Sequence, residues 1–364
     1  MKFHYKHAML PDDKVVNDIN TAAGRLHDRL RVLDVEELDI SDQNRGYLRN
    51  HLENIRFTLQ TYSYLLSWSV ARSGVSYDEF VFIDYGGGCG ILSLLAKELG
   101  LGTVIYCDIY EPSCRDARVL GQILADEANY YVHGDIDELK GFLRANSIAC
   151  DAIASYDVIE HIYDIESFLV KLSDLSEGPF NVVMSSSANA HNPKRRRSLM
   201  KFQTAAEYKG RERKSWYKES YCTRPYVEVR KEIISGRAPK LSNPELERLV
   251  RATRGLIESD IKQVVDEYIR TGEISREPDH PTNTCNPYDG NWAERLMDAN
   301  HLKEILLKEG LKVDILSGYY GSQNNRPREF AAVLLNYLIS LLKEKGLFLA
   351  RFYTIYARKP RPTA

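Results

Sequence analysis

Four groups of residues in this chain have types and spacing suited to chemistry. The first is Asp84, Gly86, Gly88 and Gly90, in the stretch VFIDYGGGCG. Glycines at alternate positions let a strand-to-helix turn bring bare backbone against a ligand, because a β-carbon would block both the turn and the approach. The second is Asp108, which ends TVIYCD 22 positions after Gly86. An acidic residue about 20 positions beyond such a loop can accept both hydroxyls of a ribose. The third is Asp135 with Ile136, after the strand-like NYYVHG, where the aspartate would equally serve as the cap of the helix beginning DELKGFL. The fourth is the run Tyr156, Asp157, Val158, Ile159, Glu160, His161. Imidazole is the side chain suited to proton removal near neutral pH, so His161 is the candidate general base with Glu160 beside it. The competing assignment is that Glu160 and His161 brace the helix that follows.

Spacing separates the ligands that a glycine loop could hold. A dinucleotide fingerprint needs a third glycine at position 91, which is Ile91, and no Gly-Lys-Ser/Thr closes a phosphate loop. The pattern D-x-G-x-G-x-G instead resembles motif I of class I methyltransferases that use S-adenosylmethionine. The segment CDAIASYDVIEHIYDIESFL resembles the D…EVLEH…D…FL signature of ubiquinone-pathway and related small-molecule O-methyltransferases, with Asp157 where that pattern often has glutamate. Together the two motifs cover roughly residues 80–188. The resemblance implies S-adenosylmethionine held by Asp84, Gly86, Gly88, Gly90, Asp108, Asp135, Ile136 and Tyr156. Asp135 would accept from the adenine amine and Ile136 would pack on the ring. It also implies O-methylation with His161 and Glu160 as the catalytic pair.

Asp157, Glu160 and His161 also resemble the E-x-x-E-H arrangement of small-RNA 2′-O-methyltransferases, since residues at i, i+3 and i+4 share a helical face. That pattern needs a further histidine, for which His191 is available, and no metal is assigned here.

Elements that would position these residues follow from periodicity. Residues from about 12 to 76 read as a helical cap, with Leu48, Leu52, Ile55, Leu59, Tyr62 and Leu66 along one face. Tyr47, Tyr64 and Trp68 widen that face, either as packing over a sheet or as a lid over an acceptor. Five apolar strands then alternate with helices, which requires a doubly wound parallel sheet. Asn243-Pro244 opens a long helix running to Gly272. The expected fold is the α/β, Rossmann-like, seven-stranded sheet of class I methyltransferases, with a helical cap and a large helical insertion after the fifth strand. Its parts are the cap at 1–76, the cofactor-binding core at 77–190, an acceptor-side insertion at 191–292, and the end of the core at 293–364.

Composition narrows the class. With 43% hydrophobic and 27% charged residues over 364 positions, a buried core is expected and disorder is not. A formal net charge of −2 gives no global pull toward nucleic acid or membrane. The basic tract at 194–218 is the local exception. It includes Arg195, Arg196, Arg197, Lys201, Lys209, Arg211, Arg213, Lys214 and Lys218, with Tyr208, Trp216, Tyr217 and Tyr221 among them or close by. It reads as a solvated loop, as a site for a phosphorylated or nucleotide-linked acceptor, or as a contact with anionic lipid, and its aromatics would also suit stacking on single-stranded nucleic acid. Six cysteines without C-x-x-C spacing read as free thiols. The start carries no signal-peptide pattern and no run of 18 apolar residues occurs, so a cytoplasmic enzyme, peripheral to a membrane at most, is expected. The acceptor expected is a small molecule, a sugar or a lipid-linked intermediate. The rivals are a metal-assisted RNA 2′-O-methyltransferase and a silent S-adenosylmethionine-binding scaffold.

Overall fold

The computed structural model describes residue 3 and residues 8–210, 223–321 and 326–360. Arg211, Glu212, Arg213, Lys214, Trp216, Tyr217, Lys218, Tyr221 and Cys222 lie outside the described residues. The chain forms two compact units. One comprises Met1–Ile159, Glu166–Ser187 and Asp298–Ala364, and the other Glu160–Ile165 and Ala188–Met297.

In the first unit, α1 (Asp13–Leu30), α2 (Asp42–Glu53) and α3 (Ile55–Val70) precede the sheet. The face expected to run unbroken from Leu48 to Leu66 is divided at Asn54. Its backbone leaves the helix (φ −113°, ψ 26°), and its side-chain amide donates to the Asn50 carbonyl at 3.0 Å. A polar side chain that satisfies a helix-end carbonyl favours such a break. Tyr64 and Trp68 are core residues and not a lid. Tyr64 packs edge-on against Tyr319 and Phe352 at 5.4 and 6.1 Å, and Trp68 lies 4.9 Å from Tyr356. Leu26, Leu65 and Leu66 share one hydrophobic cluster with Phe82, Val104 and Phe352, so the cap and the sheet are held by a common core.

The sheet alternates β1 (Val81–Tyr85), α4 (Ile91–Leu99), β2 (Thr103–Asp108), α5 (Glu111–Ile123), β3 (Tyr130–His133), α6 (Ile136–Ala145), β4 (Ala152–Tyr156), α7 (Ile165–Ser173) and β5 (Asn181–Ser186). Ile91, Leu92, Leu94 and Leu95 of α4 are almost fully buried, and each such side chain contributes about 1.5–3 kcal/mol.

The second unit holds α8 (Pro193–Tyr208), α9 (Tyr226–Arg237), α10 (Asn243–Ala252) and α11 (Glu258–Thr271). The front of the basic tract is thus helix and not a loop. The single long helix expected from Asn243 to Gly272 is two helices. Gly255 breaks it with φ +78°, and a β-carbon there would stand 2.8 Å from Trp292 Cη2. Arg230 of α9 and Glu207 of α8 form a buried bidentate ion pair.

The first unit closes with α12 (Ala299–Lys308), β6 (Lys312–Ser317), α13 (Arg326–Leu342) and β7 (Tyr353–Arg358). The sheet order is β3-β2-β1-β4-β5-β7-β6, with β7 antiparallel to both neighbours. The fold is the expected seven-stranded Rossmann-like sheet. Its order reverses between β1 and β4, the switch point beyond whose carboxyl ends such sheets hold ligands. Among the described residues, Cys89, Cys107, Cys114, Cys150 and Cys285 are unpaired and buried, and burial pushes the Cys150 thiol up to about 12. No described helix is long and apolar enough to cross a membrane.

Candidate active site

Three left-handed glycines build the loop after β1. Gly86, Gly88 and Gly90 have φ of +68°, +53° and +76°, a region that costs residues with a side chain roughly 1–2 kcal/mol. A β-carbon at Gly86 would stand 2.5 Å from Val158 Cγ2, whereas one at Gly88 would meet no protein atom within 4 Å. The space over Gly88 is therefore the open cradle that a ligand needs against bare backbone. The loop itself is tied down. The Gly86 N–H donates to the Cys107 carbonyl at 2.7 Å, and the Tyr106 hydroxyl to the Gly88 carbonyl at 2.7 Å. Asp108, half-buried at the end of β2, accepts from the Gly88 N–H at 3.0 Å and the Tyr110 N–H at 2.8 Å.

Gly86→Ala is expected to weaken binding of S-adenosylhomocysteine by roughly tenfold or more and to lower stability by about 1–3 kcal/mol. Val158 obstructs its new methyl and the backbone is strained. Gly88→Ala carries only the backbone strain in the free protein, so its loss falls mainly on binding. Calorimetric titration and melting temperatures distinguish the two.

Asp84 reaches the loop indirectly. Gly90 is the cap residue of α4 and has no side chain to offer, so Asp84 takes that role from the strand. Its Oδ2 accepts from the Ser93 N–H at 3.0 Å and the Ser93 hydroxyl at 2.8 Å, satisfying an otherwise orphaned donor of the first helical turn. Asp84 is 2% exposed, so its effect on a ligand is transmitted through the loop geometry. Burial, aided by the charge of Asp108, pushes its carboxyl up to about 7 against the opposing hydrogen bonds from Ser93. The folded state thus holds the proton more tightly than the unfolded chain, whose carboxyl titrates near 3.8. The associated stability is present at low pH and is lost as pH rises from about 4 to about 7. Asp84→Asn is expected to flatten this slope, giving a smaller loss of denaturant midpoint between about pH 5 and about pH 8 than the wild type shows.

Asp135 is the cap of α6. It accepts from the Asp137 N–H at 2.7 Å, while Glu138 accepts from the Asp135 N–H at 2.9 Å, a reciprocal capping box. The Gly134 N–H donates to the Asp108 carbonyl at 3.0 Å, which joins the ends of β2 and β3. Ile136 is buried. Tyr156 ends β4, half-buried and edge-on to Tyr62 and Phe352 at 6.4 and 6.2 Å. Asp157 leaves the strand with φ +54° and accepts from the Ser187 N–H at 2.7 Å. A non-glycine residue held left-handed at a switch point is strain that the surroundings must maintain. Val158 follows and packs on Gly86, a neighbour that the sequence pattern did not single out.

Glu160 and His161 belong to the second unit. His161 Nδ1 lies 3.0 Å from the Trp292 carbonyl oxygen and 3.1 Å from Asn291 Oδ1. The amide of Asn291 can be drawn either way round, but a carbonyl can only accept, so Nδ1 carries the proton. In the neutral ring Nε2 then holds the lone pair, 3.9 Å from Glu294 Oε1. Glu160 has no exposed surface, and its carbonyl accepts from the Arg295 N–H at 3.1 Å. Its carboxylate is therefore shut off from solvent, which does not suit the catalytic group expected beside His161.

The segment that orients His161 is itself fixed. Trp292 donates from Nε1 to the Tyr163 carbonyl at 3.2 Å and stacks on the Tyr163 ring at 6.2 Å, with the Arg295 guanidinium 4.5 Å from its own ring centre. Glu294 is left-handed, φ +58°. No local pattern identified Asn291, Trp292 or Glu294 in advance. Among the described residues, no three histidine, cysteine, aspartate or glutamate side chains are grouped to hold a metal ion, so Asp157, Glu160 and His161 do not form the ligand set that their spacing suggested.

Residues 83–177 match the family model described as a methyltransferase domain. No curated protein matches the chain. Among solved structures, the chain is similar to an S-adenosylmethionine-dependent methyltransferase from Mesorhizobium loti at 12% identity and TM-score 0.37, covering 79% of this chain and 95% of that one. A SAM-dependent methyltransferase from Archaeoglobus fulgidus is similar at 14% identity and TM-score 0.33, covering 78% and 87%. The N-terminal domain of EvdMO1 with SAH bound is similar at 13% identity and TM-score 0.25, covering 29% and 43%. Likenesses this distant carry no further weight; the matched family model, together with the sheet order and the open glycine cradle, makes the chain an enzyme with a class I methyltransferase core whose cofactor is S-adenosylmethionine.

Proposed function

We propose that the chain methylates a hydroxyl group of a small-molecule, sugar or lipid-linked acceptor, with His161 as the general base. The observation that carries this reading is the tautomer of His161. Because Nδ1 must donate to the Trp292 carbonyl, the neutral imidazole presents its lone pair at Nε2. A base oriented in this way takes a hydroxyl proton without first rearranging its own hydrogen bond.

When bound, the cofactor supplies a methyl group on a sulfonium, an electrophile that needs no acid from the protein. The residues that would hold it are those of the cradle: the Gly86–Gly90 backbone, Asp108 for the ribose, and Ile136 with Asp135 at the base. Tyr156 would border the site. Asp84 holds the loop and the start of α4 in shape. His161 accepts the acceptor proton at Nε2, and the carboxylate of Glu294 offsets the charge that the ring then carries. The Glu160 backbone carbonyl, which accepts from the Arg295 N–H, ties down the turn that positions His161. No observed ligand cluster favours metal assistance.

The test is transfer of labelled methyl from S-adenosylmethionine to fractions of a metabolite and glycan extract, followed by identification of the new bond. Label recovered as a methyl ether supports the reading. Label recovered only as a methyl ester, or on nitrogen, carbon or sulfur, overturns it.

A further inference from the structure

Helix α8 is arranged against its own stability. Lys194, Arg195, Arg196 and Arg197 fill its first turns, and no acidic residue accompanies them. That end of a helix already presents partial positive charge, so cations there are unfavourable. Like charges at three- and four-residue steps, Lys194 with Arg197 and Arg197 with Lys201, add to the cost. What holds the helix is its other face, where Leu199, Gln203, Ala206 and Glu207 are buried. A charge pattern that weakens its own element points to a partner that offsets it.

The geometry points the same way. Arg196, Arg197, Lys201 and Lys209 line a groove of about 690 Å³, with Met200 and Thr282 also in its wall. Among the described residues, none of these four cations has a carboxylate partner or a side-chain hydrogen bond. The positive field extends to His280, whose imidazole is held below its ordinary range by burial and by the charges of Arg254 and Arg196. Its Nδ1 accepts from the Thr282 and Asn283 N–H groups at 3.2 and 3.3 Å. The volume exceeds that of a bare phosphate and falls within the few hundred to about 1,000 Å³ typical of small-molecule sites. Paired arginines suit bidentate phosphate recognition, and the Met200 side chain offers an apolar surface for an organic group.

The groove is also joined to the segment that orients His161. The Thr282 hydroxyl donates to Gln203 Oε1 at 2.6 Å, and Gln203 Nε2 donates to the Glu294 carbonyl at 2.7 Å. Gln203 is fully buried, so the groove wall and the residue facing Nε2 are held by one rigid link. We infer that the α8 groove binds the phosphoryl or diphosphoryl ester end of the methyl acceptor. This rests on the reading of the chain as a hydroxyl methyltransferase. The phosphate belongs either to a soluble ester or to a lipid headgroup, which share the chemistry that the groove recognises.

The experiment titrates inorganic pyrophosphate into the full chain with S-adenosylhomocysteine bound, at low and at physiological salt, for the wild type and for R196Q/R197Q/K201Q. Saturable binding is expected in the wild type, weaker at the higher salt and reduced roughly tenfold or more in the variant. The affinity for S-adenosylhomocysteine should be unchanged, because all three side chains are exposed, and the melting temperature should not fall, because the substitutions relieve the repulsion within α8. Equal pyrophosphate binding by both proteins, or none by the wild type, overturns the inference. Sedimentation with vesicles of phosphatidylcholine alone and of phosphatidylcholine with phosphatidylglycerol distinguishes the sources. Retention on the anionic vesicles that the variant loses identifies a lipid headgroup, and no retention alongside pyrophosphate binding identifies a soluble ester. The two readings fail separately. Label found as a methyl ether while pyrophosphate does not bind sinks only the groove, whereas label found only as a methyl ester, or on nitrogen, carbon or sulfur, sinks the hydroxyl reading whatever pyrophosphate does.

Discussion

Replacing His161 by alanine is expected to lower the turnover of methyl transfer about 10²- to 10⁴-fold, the range that a positioned general base supplies. The affinity for S-adenosylhomocysteine should stay within about twofold, because the cradle at Gly86–Gly90 and Asp108 belongs to the other unit. Three residues set the size of the effect. The Trp292 carbonyl fixes which nitrogen is protonated, Asn291 adds a second contact to the same nitrogen, and Glu294 faces the nitrogen left free. Added imidazole should recover part of the lost rate, since the variant leaves a space bounded by the same partners. A merely bracing histidine would show no such rescue. Glu294→Gln should lose less, roughly tenfold, because it removes only the charge facing a partly exposed ring. Near-normal turnover of His161→Ala with intact cofactor binding would exclude the histidine as base.

What the sequence made legible was chemistry written at short range. Gly86, Gly88 and Gly90 could be read because each alternate position requires a backbone that only glycine adopts cheaply, and each has a positive φ. Asp108 was legible because the end of a strand fixes where its carboxylate stands relative to the preceding loop. The fold followed for the same reason, since alternating apolar strands and amphipathic helices leave few other topologies.

Breaks in regular patterns were harder to read. Asn54 and Gly255 each interrupt a sustained helical period, and in each case the cause is a local backbone state that periodicity does not register. At Gly255 a side chain is also excluded by Trp292, 37 residues further along. The same distance hides the surroundings of His161. Its partners lie about 130 residues downstream in an irregular segment with no repeating pattern, and nothing in the run DVIEH points to them. Asp84 shows a subtler limit. Its position marks it correctly as part of the loop, but its partner is Ser93 of the following helix, which it serves in place of the cap that Gly90 lacks.

Breaking the buried ion pair of the second unit is expected to be the most damaging single change to stability. Arg230 and Glu207 have side chains 1% and 3% exposed and meet through two hydrogen bonds, one of them 3.1 Å long. The Thr284 hydroxyl donates to Glu207 at 2.8 Å, and Arg230 Nε also reaches the Val250 carbonyl at 3.4 Å. The pair thus joins α8, α9, α10 and the segment leading to Trp292. Arg230→Ala or Glu207→Ala leaves one charge buried without its counterpart and should lower the stability of this unit by about 3–5 kcal/mol. Hydrogen exchange should show the loss in α9 while β1 keeps its protection, because the two lie in separate units. The double replacement Glu207→Leu with Arg230→Met removes both charges, and most of the lost stability should return. Turnover should not return in proportion, since the hydrogen bond from Thr284 to Glu207, which helps to fix the segment orienting His161, is still missing. Single variants within about 1 kcal/mol of the wild type would mean that water reaches the pair in solution. Turnover restored together with stability would show that Trp292 and Glu294 hold His161 without help from Glu207.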